Sequence, residues 1–288
     1  MMKHLLLIVG LFICLSLSIP YHQQLALVNS LQVGRDEDPT VWSCVGCDDD
    51  NKPLHTYVIE EKSVEIKSIL SVYEEYTVLA FRYTANAKNI WQDILWAIQV
   101  QDEHAPSGCK VQKQYDSMWA TIRDDVIKGL REHVHPRRLI ITGISLGGGL
   151  ASISFVDIRA TNEFENVEVI TFGSPRVGNK KWAEWFNSIT KSTRIYIRED
   201  PIAFLPRCLT IACNYGPTGR AIVCYPETMQ CICKDGDDES NLKQINRSLS
   251  FLFSEINEHK KEIASGDLNG INDHISGYKL IKTYSLVC

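Results

Sequence analysis

The 288-residue chain has no strong charge of either sign: 30 Lys and Arg against 35 Asp and Glu leave a net charge of -5. So weak an acidity argues against nucleic acid as a partner. Beyond the first twenty residues there is no apolar run long enough to cross a bilayer. Nor is there an internal repeat or a low-complexity linker, so one domain over residues 25–288 is expected. With 44% hydrophobic residues, a chain of this length supports one large core.

The start of the chain is different. Met1-Met2-Lys3-His4 is basic, Leu5 to Leu17 is almost unbroken apolar chain, and Ser16 and Ser18 supply small residues for cleavage after Ser18. Residues 1–18 therefore read as a secretory signal peptide, too short for a membrane anchor. That places the protein outside the cell or in the lumen of the secretory pathway, with no transmembrane segment after cleavage. Ten cysteines fit this compartment. Nine remain once Cys14 leaves, so one thiol is free or bonded to another molecule. Cys44-x-x-Cys47 runs into Asp48-Asp49-Asp50, not into a helix start, which favours a small local disulfide over a redox motif or zinc half-site. The cluster from Cys208 to Cys233 is expected to hold disulfides for the same reason of compartment. Asn246-Arg247-Ser248 is a glycosylation sequon.

Strand and helix signals alternate along the remainder. Leu25 to Asn51 reads as short helices and turns, and Tyr57–Ile59 and Val64–Ile69 as short strands. Tyr76–Phe81 is an apolar, β-rich run of the kind buried on both faces of a parallel sheet. Tyr115, Met118, Trp119, Ile122, Val126 and Leu130 recur at helical spacing. Strands follow at Leu139–Ile141, Val167–Phe172 and Arg194–Arg198, with a helix marked by Trp182, Trp185, Phe186 and Ile189. Such alternation predicts an α/β fold with a mostly parallel central sheet and helices on both faces.

The centre of the chain is Gly143-Ile144-Ser145-Leu146-Gly147. Gly-x-Ser-x-Gly occurs by chance in about one chain in ten of this length, given roughly 7% Gly, so context must decide. Here a β-branched apolar strand precedes the motif and small or apolar residues follow through Phe155. This is strand, sharp turn, helix. The glycines let the helix pass close to the strand, and the Ser145 hydroxyl is expected to stand exposed at the carboxyl end of the sheet and the positive end of a helix.

A serine alcohol needs an imidazole to take its proton, and the imidazole needs a carboxylate to hold its tautomer. On such a fold the order is nucleophile, acid, histidine. Only His259 and His274 follow any later acid. His259 sits in the charged stretch Glu258–Glu262, whereas His274 lies in a loop that opens a final amphipathic segment, a better place for a base. Asp200 directly follows a strand, which puts it on the same sheet edge as Ser145. Asp235, Asp237 and Asp238 lie in a charged loop, and Asp273 is merely adjacent to His274.

Five segments, in order and at compatible spacing, then resemble the secreted fungal-type (class 3) lipases. They are Trp42–Cys47; Ala80–Thr84 with Asn89 and Asp93 beyond; Ile141–Gly148; Phe172–Asn179; and Asp200–Pro206 followed by Asp273-His274. The resemblance implies an α/β-hydrolase fold with Ser145 as nucleophile, Asp200 as acid, His274 as base and a Cys44–Cys47 disulfide. It implies an oxyanion hole from the amides of Thr84 and Leu146, and a lid helix over residues 85–98. No metal or organic cofactor is called for. The substrate expected is an acyl-lipid ester, an acylglycerol, met at a lipid–water interface; phospholipase, galactolipase, feruloyl-type esterase and an inactive lipid-binding relative are the alternatives. The chain departs from the family's pattern at Ile144, where histidine is usual, and at Tyr83, where glycine is usual. The spacing from His274 to Tyr278 is one residue longer, and no cysteine before Cys44 is left to pair with Cys288.

Overall fold

A computed structural model of the chain describes residues 17–35, 38–82, 98–134, 138–198, 200, 202–206, 214–234, 277–279, 281 and 284–287. The strands are β1 (Leu17–Ser18), β2 (His55–Glu61), β3 (Ile66–Val72), β4 (Tyr76–Phe81), β5 (Gln99–Gln101), β6 (Lys110–Gln112), β7 (Arg138–Ile144), β8 (Val167–Phe172), β9 (Lys191–Ile197), β10 (Arg220–Tyr225), β11 (Gln230–Lys234) and β12 (Ser285–Val287). The α-helices are α1 (Tyr21–Val33), α2 (Lys113–His133), α3 (Leu146–Ala160) and α4 (Lys180–Ile189).

All strands but β5 and β6 share one sheet, in the order β1-β12-β11-β10-β9-β8-β7-β4-β3-β2. The central run β4-β7-β8-β9-β10 is parallel throughout, and antiparallel pairs flank it. The mostly parallel sheet expected from the sequence is what forms. Period-two alternation divides each central strand between two cores. Leu139 and Ile141 pack with α2, α3 and α4, whereas Ile140 and Ile144 pack with α1 on the opposite face. The sheet is thus covered on both sides, which is why β7 reads as a continuous apolar run.

Helix α1 is less amphipathic than a surface helix should be, because Gln23, Asn29, Ser30 and Gln32 are buried in it beside Leu25, Leu27 and Val28. Three of these polar side chains reach hydrogen-bond partners. Asn29 Nδ2 donates to the Tyr73 hydroxyl at 2.8 Å, Ser30 Oγ lies 3.0 Å from Thr142 Oγ1 on β7, and Gln32 Nε2 donates to the carbonyls of Pro39 and Val41. So α1 is one 13-residue helix, where the sequence suggested several short ones.

Three other boundaries differ from expectation. The expected Val64–Ile69 strand begins instead at Ile66, because Lys62–Val64 forms a short 3-10 turn and Glu65 adopts a left-handed φ of 54°. The hairpin β10–β11 went unforeseen, its residues having been read only as a cysteine cluster. Ordered structure also starts before residue 25: Leu17 and Ser18 pair with Leu286 and Ser285, and Ile19 is buried.

Candidate active site

Strand β7 ends at Ile144, and helix α3 begins at Leu146. Only Ser145 joins them, at φ 55° and ψ -122°, a backbone region that L residues rarely occupy. Its N–H donates to the Phe172 carbonyl at 2.8 Å, so this serine is tied to β8 as well as to its own strand. Its hydroxyl does not cap α3, which leaves Oγ to chemistry although the residue is only 2% exposed. Such a turn requires close backbone approach. A Cβ on Gly143 would stand 2.2 Å from the Gly147 carbonyl carbon, and one on Gly147 would stand 2.3 Å from the Phe81 carbonyl oxygen. Both glycines of the motif are therefore steric necessities.

Leu146 is the first residue of α3, so its N–H belongs to the group that the helix ladder does not use, and it sits at the positive end of the helix dipole. That fits an oxyanion donor. Thr84, the second expected donor, lies outside the described residues. It follows Phe81 by three positions, and Phe81 is registered with Gly143 at the end of β4. Ile144, where the family usually has histidine, is fully buried in the core facing α1 and serves packing.

Asp200 comes three residues after β9 ends at Ile197. Strand β9 is separated from β7 only by β8, and all three are parallel, so Asp200 and Ser145 leave the same sheet edge two strand spacings apart. Two spacings amount to about 10 Å, room for an imidazole with a hydrogen bond on either side. Asp200 is 6% exposed and well held. Its Oδ1 accepts from the Ile202 N–H at 2.9 Å, and its Oδ2 accepts from the Tyr278 hydroxyl at 2.5 Å.

Tyr278 entered the sequence reading only as a spacing anomaly. In the fold it is fully buried, edge-on to Phe172, and its hydroxyl also accepts the Ile197 N–H at 3.2 Å. Burial, followed by the neighbouring Asp200 charge, pushes its phenol well above the ordinary tyrosine range, so it stays a hydrogen-bond donor. No short motif announces this role, because Tyr278 and Asp200 are 78 positions apart. His274 lies outside the described residues, four positions before Tyr278.

Elsewhere, a 160 Å³ cavity beside the β5–β6 hairpin is lined by Asp102, Glu103, Asp116, Trp119, Arg123 and Asp157. Asp102, Glu103 and Asp157 have internal partners. Asp102 accepts the Trp182 indole N–H, Asp157 accepts that of Trp119, and Arg123 lies 3.5 Å and 3.6 Å from Glu103 and Asp157. Glu103, His104 and Asp157 are grouped closely enough to hold a metal, and Arg123 contacts both carboxylates of that group. The Cys44–Cys47 disulfide is present, and Cys224 and Cys231 are bonded across β10 and β11. Cys233 is also in a disulfide, whereas Cys109 is a buried free thiol. Cys208, Cys213 and Cys288 lie outside the described residues, as do Tyr83, His259 and Asn246.

Comparison with known proteins agrees with this geometry. Residues 78–210 match the family described as Lipase (class 3). The chain is 30% identical over 136 residues to the secreted mono- and diacylglycerol lipase A of Penicillium cyclopium, a match covering 45% of this chain and 42% of that protein. The matched stretch is thus less than half the length of that curated relative. Among solved structures, an MDLA variant from Penicillium cyclopium superposes with a TM-score of 0.56 at 22% identity, covering 70% of this chain and 77% of its own. Rhizomucor miehei triacylglyceride lipase gives a TM-score of 0.57 at 19% identity, covering 70% and 78%. Residues 78–210 are thus similar to the class 3 lipases, and the fold is the one these solved lipases share.

Proposed function

We propose that the protein is a secreted carboxylic ester hydrolase acting on acylglycerols. Ser145 Oγ attacks the ester carbonyl while His274 takes its proton. The oxyanion is held by the amides of Leu146 and Thr84, and His274 then protonates the leaving alcohol. Water hydrolyses the acyl-enzyme by the same steps in reverse roles. Asp200 orients the imidazole and stabilises its charged form. The observation that carries this reading is the strained Ser145 between β7 and α3, with the buried Asp200 carboxylate two strands away on the same edge. Tyr278 supports the choice of His274, since four residues of chain reach at most about 14 Å and Tyr278 is bonded to the acid. Residues 1–18 act as the signal peptide in this reading, in keeping with the secreted relative, and the pairing of Leu17 and Ser18 with β12 then belongs to the uncleaved chain alone.

The test is a panel of esters from p-nitrophenyl butyrate to emulsified acylglycerol and phospholipid, run on wild type and Ser145→Ala. Wild type should turn over acylglycerols, and the alanine variant should lose on the order of a million-fold, as nucleophile removal does in other triads. Retained activity in Ser145→Ala sinks the serine mechanism. Preference for phospholipid leaves the triad standing and moves the substrate class.

A further inference from the structure

Arg194 lies near the middle of β9, 2% exposed, registered with Thr171 on β8 and Ala221 on β10. Its neighbour Ile195 faces α1, so Arg194 and Tyr196 point to the other face, where Ala203 and Phe204 cover them. The guanidinium carbon stands 4.8 Å from the centre of the Tyr196 ring, and Nη1 donates to the Ala203 carbonyl at 2.9 Å. Burying a guanidinium is costly, and an apolar side chain of similar volume would fill the space without that cost. Burial pushes the group down to about 10, so it still carries its charge at neutral pH.

The loop above it explains the charge. Ile202–Phe204 forms a single 3-10 turn. One end of that turn gives the Ile202 N–H to Asp200 Oδ1, and its middle gives the Ala203 carbonyl to Arg194. The far end is held by the Arg176 N–H, which donates to the Leu205 carbonyl at 2.6 Å. Asp200, Tyr278, Tyr196 and Arg176 all act on the Arg194 charge, and Asp200 is the acid among them. We propose that Arg194 is a positioning residue for the triad: by holding the Ala203 carbonyl it clamps from beneath the Ile202–Phe204 turn whose Ile202 N–H holds the Asp200 carboxylate. The proposal rests on the reading of Asp200 as the acid that orients the base. Arg194 touches no substrate, and acts through the place of Asp200.

The experiment compares wild type, Arg194→Lys, Arg194→Gln and Ser145→Ala on dissolved p-nitrophenyl butyrate, with folding checked by near-UV circular dichroism and gel filtration. In Arg194→Gln, kcat should fall on the order of 100-fold, the scale of a small misplacement of catalytic groups, with KM unchanged. Arg194→Lys should recover part of the loss, because an ammonium keeps the charge and can reach the Ala203 carbonyl. A folded Arg194→Gln with wild-type kcat, or a defect in KM alone, overturns the proposal. If neither variant folds, Arg194 is a folding residue and the proposal falls. If wild-type turnover survives in Ser145→Ala, the failure belongs to the underlying serine mechanism, which the Arg194 variants do not touch.

Discussion

The proposed nucleophile and the proposed acid are held by opposite devices. Ser145 sits in a sparsely populated backbone region enforced by the strand and helix on either side of it. Asp200 is relaxed, and both its oxygens are satisfied by neighbours from the loop and from Tyr278. The Tyr278 hydroxyl is the more informative to remove, because phenylalanine keeps the buried ring. A hydrogen bond to a charged group is worth about 1.5–3 kcal/mol. Lost from the transition state, that is roughly a 10- to 100-fold fall in kcat/KM. Tyr278→Phe should therefore remain folded and hydrolyse a soluble ester more slowly by that factor, which steady-state kinetics can read. A rate equal to wild type would mean that Asp200 needs only its loop amide. In the sequence Asp200 was legible from its place after a strand, but Tyr278 was not, because the hydrogen bond joins positions that only the closed fold makes neighbours.

At the level of elements, the turn from β7 into α3 leaves almost no room for substitution. Gly147 faces the carbonyl oxygens of Phe81 and Arg82 at the end of β4, with no flexible side chain between them to give way. Gly147→Ala must push α3 away from the strand that leads to Thr84. Overpacking of this kind costs about 1–3 kcal/mol, readable as a lower urea midpoint. The loss of ester hydrolysis should exceed what the stability change explains, since the same shift moves the Leu146 and Thr84 amides apart. Equal activity at a lower midpoint would separate packing from the oxyanion hole. The strands β4 and β7 were legible because burial on both faces leaves largely apolar, β-branched runs. Helix α1 was harder to read, since its buried Asn29, Ser30 and Gln32 break the apolar stripe that marks a helix in sequence.

At the scale of the whole molecule, the expected behaviour is that of an enzyme that works at a lipid surface. Residues 85–98 carry Ile90, Trp91, Ile94, Leu95, Ala97 and Ile98 on one helical arc, opposite Lys88, Asn89, Gln92 and Asp93, with Trp96 the one apolar residue on that opposite arc. Of this stretch only Ile98 is described, and it is exposed. A lid that covers Ser145 in water and turns its apolar face to acyl chains at an interface keeps that face dry in both states. Hydrolysis of a short-chain ester should then rise steeply beyond its solubility limit, and Trp91→Asp should flatten the rise while sparing turnover of dissolved monomer. One smooth saturation curve in both proteins would indicate an open esterase.

The sequence by itself determined the strand-and-helix alternation, the elbow at Ser145 and the local Cys44–Cys47 bond. All of these are written in neighbouring residues, through periodicity, turn chemistry or short chain reach. The tertiary structure decided that Asp200 stands two strands from Ser145, that Tyr278 grips its carboxylate, and that a charged Arg194 is buried beneath its loop. It also decided that Cys224 bonds Cys231 across a hairpin, while Cys109 stays reduced inside the core. These depend on which distant segments share a sheet edge or a core, and hydrophobic burial of the whole chain sets that, not any local pattern.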